Sequence, residues 1–273
     1  MPDLYAVIGN PIHHSQSPII HMEFARQTHQ DIQYNAILAP LESFAATVSA
    51  FQQKGGKGLN VTLPFKQEAY TLSTRLTDRA NAAQAVNTLK FDQNHPILGD
   101  NTDGAGLIRD IEVNQEIPIA GKSILLMGAG GAARGVILPL LERKPRLLAI
   151  ANRTQTKAEL LQTQFSSHGQ IVSGHFQDFS GESFDIVINA TSASLQDKLP
   201  PLPIGLFKET TLAYDMMYSQ NLTPFLIFAQ QQGARYLADG IGMLVEQAAE
   251  SFYVWRGIRP ETRKIIEMLK NNR

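Results

Sequence analysis

The sequence predicts an α/β protein of two units, an N-terminal α/β domain and a second α/β domain with a parallel sheet, closed by helices. Three observations predict it. Short apolar runs alternate with segments whose apolar residues recur at helical spacing, the pattern of a layered sheet and helix. A glycine-rich turn joins an apolar strand to an apolar helix near mid-chain. The C-terminal stretch carries amphipathic helical patterns with no strand after them. A length of 273 residues suits one large domain or two ordinary ones. We place the boundaries near Asp103 and near Gly240, giving 1–103 with 241–273 as one domain and 104–240 as the other. The last helices are expected to return to the first domain.

The elements follow in order. LYAVIG (4–9) reads as a buried strand ending at a glycine. A helix is expected from Pro18, with Ser17 as N-cap and Pro18 at the first helical position. NAIL (35–38) is a second strand. Residues 41–53 place Leu41, Phe44, Ala45, Val48 and Phe51 at helical spacing, and Gly55 and Gly56 end that helix. GLNVTL (58–63) and VNTLKF (86–91) are further strands, and the turn GDNTDG (99–104) opens a helix. SILLMGAGGAARGVILPLL (123–141) is strand, turn and helix, with Pro139 expected to kink the helix. LLAIANRT (147–154), FDIVINATS (184–192) and TLAYDM (211–216) are strands. Residues 154–165 and TPFLIFAQQQG (223–233) are helices, the second ending at Gly233. In GIGMLVEQAAESFYVW (240–255), Ile241, Leu244, Val245, Ala248, Phe252 and Trp255 form one stripe. A final helix is expected to start at Pro260.

Composition excludes several classes. A net charge of −1 gives no bulk attraction to nucleic acid or to an anionic membrane. The absence of cysteine excludes disulfides, thiol nucleophiles and thiolate-held metals, and suits the cytoplasm. The N-terminus lacks a signal-like apolar run, and no apolar segment approaches the ~20 residues of a membrane span. His13 and His14 have no acid or histidine at ligand spacing beside them, so no metal is expected.

Gly128, Gly130 and Ala133 give G-x-G-x-x-A after a strand and at the start of a helix. The first glycine permits a tight turn, the second lets backbone approach a pyrophosphate, and the small third residue allows helix–strand contact. The loop of Gly128, Ala129, Gly130, Gly131 and Ala132 is thus a candidate dinucleotide site of Rossmann type. NAD binders carry an acid at the end of the next strand to hold the ribose 2′-OH. This chain has Asn152, Arg153 and Thr154 there, then Lys157. An arginine grips a 2′-phosphate bidentately, so NADP is favoured. The bland alternative is a pair of solvated cations at a helix start, which the helix dipole disfavours.

Polar clusters mark the N-terminal domain. Ser15 and Ser17 lie two apart near a helix start, where paired hydroxyls suit a carboxylate, although capping accounts equally for Ser17. Asn60, Thr62 and Lys66 leave the strand in NVTLPFK, Asn87 sits in AVNTL, and Asp100, Asn101 and Asp103 crowd the turn before Gly104. Each alone is an ordinary strand-end residue. Together they lie at strand ends of one α/β unit, where such folds bind ligands. The local sequence permits a Lys66–Asp103 pairing without requiring it.

The runs GNPIHHSQSP, GLNVTLPFK, AVNTL, GDNTDG, MGAGGAARG, ANRT, NATS, YDMMY, TPFL and DGIGMLVEQAAESF resemble shikimate dehydrogenase, in the family's order and over nearly the whole chain. That resemblance implies NADPH-dependent reduction of 3-dehydroshikimate to shikimate, on the way to aromatic amino acids. It implies that Ser15 and Ser17 bind the substrate carboxylate near Tyr218, and that Asn60, Thr62, Lys66, Asn87, Asp103 and Gln247 hold the ring. Lys66 and Asp103 are implied as the catalytic pair. Thr191, Met216, Gly240 and Met243 are implied to line the nicotinamide, with Met243 and Gln247 on one face of a helix. A cleft that closes over substrate is expected of the two-domain layout, and the oligomeric state is monomer or homodimer. Three residues depart from the pattern: Lys157 stands for a second arginine, and Gln84 and Ser194 stand for glycines. The alternatives are a quinate/shikimate dehydrogenase using NAD, a non-catalytic NADPH-binding module, and a generic NADP-dependent reductase.

Overall fold

The structure is a computed structural model that describes residues 1–91, 97–191, 193 and 199–271. Ser194, and Ser192 at the end of one expected strand, lie outside the described residues. The chain divides into two compact units, Met1–Gly106 with Leu244–Met268, and Leu107–Met243 with Leu269–Arg273.

The first unit opens with β1 (Asp3–Gly9), α1 (Ser17–Thr28), β2 (Ile32–Leu38), α2 (Phe44–Gln53) and β3 (Gly56–Val61). It continues with α3 (Lys66–Leu72), β4 (Arg75–Leu76), α4 (Asp78–Ala83), β5 (Thr88–Lys90) and β6 (Leu98–Asp100). The sheet order is β2-β1-β3-β5-β6-β4. β1 is parallel to both its neighbours, while β5 runs antiparallel to β3 and β6. The end of β1 is continuously buried, as a strand covered on both faces must be, whereas the edge strand β2 is largely exposed beyond Tyr34. The register sets Asn60 beside Thr88 and Thr88 beside Asp100, so one polar row crosses three strands. An apolar core of Ile8, Phe44, Leu59, Phe65, Val86 and Leu89 lies close to that row.

The second unit takes in α5 (Asp103–Arg109), which begins in the first, and a π-helical turn at Asp110–Asn114. Then come β7 (Ser123–Met127), α6 (Gly131–Glu142), β8 (Leu147–Ala151), α7 (Gln155–Phe165), β9 (Ile171–Gly174), β10 (Ile186–Asn189), β11 (Leu212–Asp215), α8 (Pro224–Gln231) and β12 (Tyr236–Ala238). All the pairings in this sheet are parallel, in the order β12-β11-β10-β7-β8-β9. Read from the other edge, this is the doubly wound order with its reversal between β7 and β10, where such sheets bind nucleotides. β7 is buried throughout, which suits its apolar run Ile124–Met127.

α9 (Ile241–Arg256) and α10 (Arg263–Asn271) close the chain, and Leu244–Met268 belongs to the first unit. Three helix starts differ from expectation. Ser17 is the first helical residue rather than the N-cap, which is Gln16 and makes no side-chain cap. The last helix starts at Arg263, not at Pro260, because the Thr262 carbonyl accepts the N–H groups of Ile265 and Ile266. α2 starts at Phe44, three residues later than its apolar spacing suggests.

Candidate active site

In the first unit, β3 ends at Val61 and the chain turns through Thr62, the cis Leu63–Pro64 bond and Phe65. Phe65 is buried and stacks on Phe44 with ring centroids 5.0 Å apart. That anchor fixes the first residue of α3, which is Lys66, and the Lys66 carbonyl accepts the Val86 N–H at 2.9 Å. Lys66 Nζ then reaches Asp103 Oδ2 at 2.5 Å, with side-chain exposures of 22% and 9%. A pair so nearly enclosed is poorly screened by solvent.

Asp103 is itself held from several directions. Its N–H donates to Asn101 Oδ1 at 3.2 Å, and its Oδ1 accepts Asn87 Nδ2 at 2.8 Å. Asn87 Nδ2 also lies 3.3 Å from Gln247 Oε1 on α9. Three residues earlier, Asp100 accepts Arg79 in a two-pronged contact at 2.6 and 2.7 Å. Burial alone would raise the Asp100 pKa, but the Arg79 guanidinium outweighs it and holds the carboxyl below its usual value. Arg79 also donates to Glu250 on α9 at 3.0 Å, tying the turn to the helix that carries Gln247.

Lys66, Asn87, Asp103 and Gln247 therefore meet. Asn60 joins them from behind. Its Oδ1 accepts the Tyr34 hydroxyl at 2.7 Å and its Nδ2 donates to Ser251 Oγ at 2.9 Å, so its amide is engaged inside the protein. Ser15 is half-buried and its hydroxyl accepts the Ser17 N–H at 3.3 Å. Ser17 is buried, and its side chain faces the Tyr34 hydroxyl rather than capping α1. Thr62 is half-buried, with its N–H donating to Ile8 O at 3.0 Å.

The glycine loop of the second unit is built as its spacing demands. Gly128 has φ +109°, which side chains rarely adopt, and a Cβ there would lie 3.1 Å from the Ala190 carbonyl. Ala129 is buried beneath the turn, while Gly130, Gly131 and Ala132 are exposed at the start of α6. No side chain caps that helix, and a Cβ at Gly130 or Gly131 would meet nothing within 4 Å. The result is an open cradle of backbone donors with the positive end of a helix behind it, which fits a pyrophosphate. Beyond β8, Asn152 bonds the Thr154 carbonyl at 2.8 Å, while Arg153, Thr154 and Lys157 are exposed. Two cations beside a loop with no acid at this position fit a 2′-phosphate.

At the ends of β10 and β11, two buried residues that sequence reasoning missed organise the neighbouring loops. Asn189 accepts the Thr191 hydroxyl at 2.7 Å and donates to Asp215 at 3.1 Å. Asp215 in turn accepts the Met217 N–H at 3.0 Å and the Thr223 hydroxyl at 2.6 Å. Gly240 N–H donates to the Met217 carbonyl at 3.1 Å, so Thr191, Met216 and Gly240 are gathered on one side of this sheet. A polar residue closing an otherwise apolar strand, as in VIN and AYD, was the available signal. Met243 is buried on α9 and Tyr218 is exposed at 37%. Among the described residues, no group of three or more His, Asp or Glu is arranged to hold a metal, and no helix is long and apolar enough to cross a membrane.

Comparison with known proteins agrees with this layout. Residues 7–89 match the shikimate dehydrogenase substrate-binding domain, 112–196 match shikimate/quinate 5-dehydrogenase, and 240–270 match the shikimate 5′-dehydrogenase C-terminal domain. A shikimate dehydrogenase (NADP(+)) of Nitrosomonas europaea is 64% identical over 270 residues, 99% of this chain and 98% of that protein. An Ael1 enzyme from Pseudomonas putida has a solved structure with a TM-score of 0.93 and 49% identity, covering 98% of each chain. Shikimate 5-dehydrogenase from Thermus thermophilus, solved with NADP(H) and shikimate, gives a TM-score of 0.87 at 30% identity over 98% of this chain and 99% of that one. With these matches spanning both units and both polar centres, the chain belongs to the shikimate dehydrogenase family.

Proposed function

We propose that this protein is a shikimate dehydrogenase, catalysing the reversible NADPH-dependent reduction of 3-dehydroshikimate to shikimate in aromatic amino acid biosynthesis. The observation that carries the reading is the enclosed Lys66–Asp103 contact, 2.5 Å long, at the end of a row of polar side chains in the first unit. NADPH supplies the hydride. Lys66 Nζ holds the proton that the carbonyl oxygen acquires, and Asp103 keeps that ammonium aimed while accepting from the reacting hydroxyl. Ser15 and Ser17 take the carboxylate with Tyr218, and Thr62, Asn87 and Gln247 hold the ring hydroxyls, with Asn60 behind them. Residues 1–103 and 241–273 form the substrate domain, and 104–240 the NADP domain. In that second domain the loop of Gly128 to Ala132 takes the pyrophosphate, Asn152, Arg153, Thr154 and Lys157 take the adenosine phosphate, and Thr191, Met216, Gly240 and Met243 flank the nicotinamide. The enzyme acts in the cytoplasm as a monomer or homodimer.

The test is a matrix of two substrates and two cofactors, followed by absorbance of the reduced nicotinamide. Shikimate with NADP is expected to be fastest. Faster turnover of quinate with NAD would replace the reading with a quinate/shikimate dehydrogenase, and no turnover of any pair would leave a binding module. Lys66→Ala is expected to lower kcat by about two to four orders of magnitude with little change in KM, as loss of a general acid does.

A further inference from the structure

Beneath Asn87 lie three hydroxyls that no substrate reaches. Thr88, Thr102 and Ser251 are each fully buried, and they come from β5, from the turn before α5 and from α9. Ser251 Oγ lies 2.8 Å from Thr88 Oγ1 and 3.1 Å from Thr102 Oγ1. It also accepts Asn60 Nδ2 at 2.9 Å and lies 3.0 Å from the Gln247 carbonyl one helical turn earlier. Thr88 donates to Asn87 Oδ1 at 2.9 Å, and so does the Thr102 N–H, also at 2.9 Å. The Thr102 hydroxyl reaches both Asn87 Oδ1 at 3.1 Å and Gln247 Oε1 at 3.4 Å.

The direction of these bonds is constrained. A backbone N–H can only donate and a backbone carbonyl can only accept. The Thr102 N–H therefore fixes which end of the Asn87 amide is oxygen, and its nitrogen is left facing Asp103 Oδ1 at 2.8 Å. Ser251 has a single proton; with the Thr88 proton on Asn87 Oδ1, the 2.8 Å Ser251–Thr88 contact takes the serine proton, and the serine oxygen accepts Asn60 Nδ2. At the far end the Tyr34 hydroxyl donates to Asn60 Oδ1, and Asn60 Nδ2 donates onward to Thr88 as well, at 3.3 Å. One directed chain thus runs Tyr34, Asn60, Thr88, Asn87, Asp103, with Ser251 bridging it to α9. A buried network of this kind holds its members only while every one is satisfied.

We propose that the buried hydroxyls of Thr88 and Ser251 are positioning groups for catalysis: Thr88 orients the Asn87 amide toward Asp103, and Ser251 holds Thr88 in place, without touching substrate. The proposal rests on the dehydrogenase reading above. Thr88→Val keeps the shape of the side chain and removes the donor to Asn87. It is expected to lower kcat for shikimate about tenfold, the worth of roughly one buried hydrogen bond, with NADP KM within about twofold of wild type. Ser251→Ala is expected to do the same by releasing Thr88, and Thr88→Ser is expected to restore kcat. Because Thr88 acts through Asn87, adding Thr88→Val to Asn87→Ala is expected to cost nothing further.

Unchanged kcat in a folded Thr88→Val protein, or a full additional loss in the Asn87→Ala background, would overturn the proposal. So would a loss shared equally by Thr88→Ser, which keeps the hydroxyl. Should Thr88→Val fail to fold, Ser251→Ala and Thr88→Ser decide by the same criteria. An activity-free readout separates this inference from the reading beneath it: the Asn87 side-chain amide, followed by NMR and identified with Asn87→Ala. Slow hydrogen exchange in wild type that becomes fast in Ser251→Ala supports the positioning role even if the wild type turns over no shikimate. Equal exchange in the two removes the role.

Discussion

Gln84 shows how a single residue departs from its family and what that costs. It follows α4 with φ +50°, in the left-handed region, where the resemblance leads one to expect glycine. A side chain in that conformation crowds the next carbonyl by about 1–2 kcal/mol, offset in part by the greater entropy that a glycine gives the unfolded chain. Gln84→Gly is therefore expected to stabilise the protein by about 0.5–1 kcal/mol, read as a higher urea midpoint at unchanged slope. A lower midpoint would show that the side chain's own contacts outweigh the strain. The cofactor side of the family pattern differs in another way. Lys157 keeps the charge of the arginine that the resemblance expects there but not its planar fork, and it stands exposed with Arg153.

At the scale of elements, α9 is the piece on which the substrate side depends. It carries Gln247, Glu250 and Ser251, and it is seated by Trp255, whose Nε1 donates to the Leu89 carbonyl at 2.9 Å. The indole lies over Gly58 of β3 so closely that a Cβ there would sit 2.4 Å from Nε1 and 2.8 Å from the Leu89 carbonyl. Gly58→Ala is expected to push the indole off its acceptor at a cost of about 1–3 kcal/mol, as overpacking does. Trp255 is the single tryptophan, so a red-shifted emission maximum reports the displacement directly. An unshifted spectrum with unchanged stability would mean that β3 yields instead.

Much of this scale was legible in sequence, because it depends on local pattern. The apolar run of β7, the glycine at a forced positive φ and the stripe of α9 each follow from periodicity or from sterics near one residue. The short elements were not legible. α3, β4, α4, β6, β9 and β12 have too few residues to show a period, and β4 has only two. The site divided the same way. NVTLPFK and GDNTDG announced polar strand ends, but Ser251 was hidden as one more small residue of an amphipathic helix. Its partners are up to 191 residues away, and only sheet register and helix packing bring them to it. Asn60 was named as a ring contact by the resemblance alone, and its amide is engaged with Tyr34 and Ser251.

For the molecule as a whole, the most consequential ionisable group is one the chemistry does not use. His21 is fully buried, stacked on Tyr34 with ring centroids 4.2 Å apart and close to Phe24, Phe252 and Trp255. Burial pushes its pKa down to about 3, and the nearby Asn60 amide opposes this only weakly, since neither ring nitrogen has a hydrogen-bond partner. In the unfolded chain the same imidazole titrates near 6.5. The folded value lies below the unfolded one, so the stability is fully present above about pH 6.5 and is lost as pH falls toward 3. The loss is about 1.4 kcal/mol per pH unit within that window and on the order of 5 kcal/mol across it. Two carboxyls bear on the same range. Asp100 is held low, so its contribution is lost only below its ordinary value of 3.8. Asp110, packed against Gly242 and accepting the Tyr214 hydroxyl at 2.6 Å, is raised by burial. Its contribution runs the other way, fading as pH rises above 3.8. Comparing wild type with His21→Phe cancels both. Phenylalanine keeps the stack on Tyr34 and removes two unsatisfied nitrogens, so the variant is expected to match or exceed wild-type stability at pH 7. Urea unfolding followed by circular dichroism between pH 4 and pH 6.5 is expected to show a steep decline in wild type and a shallower one in the variant. Parallel slopes for the two proteins would mean that His21 accepts a proton in the folded state, and that its buried pocket opens to water before the unit unfolds.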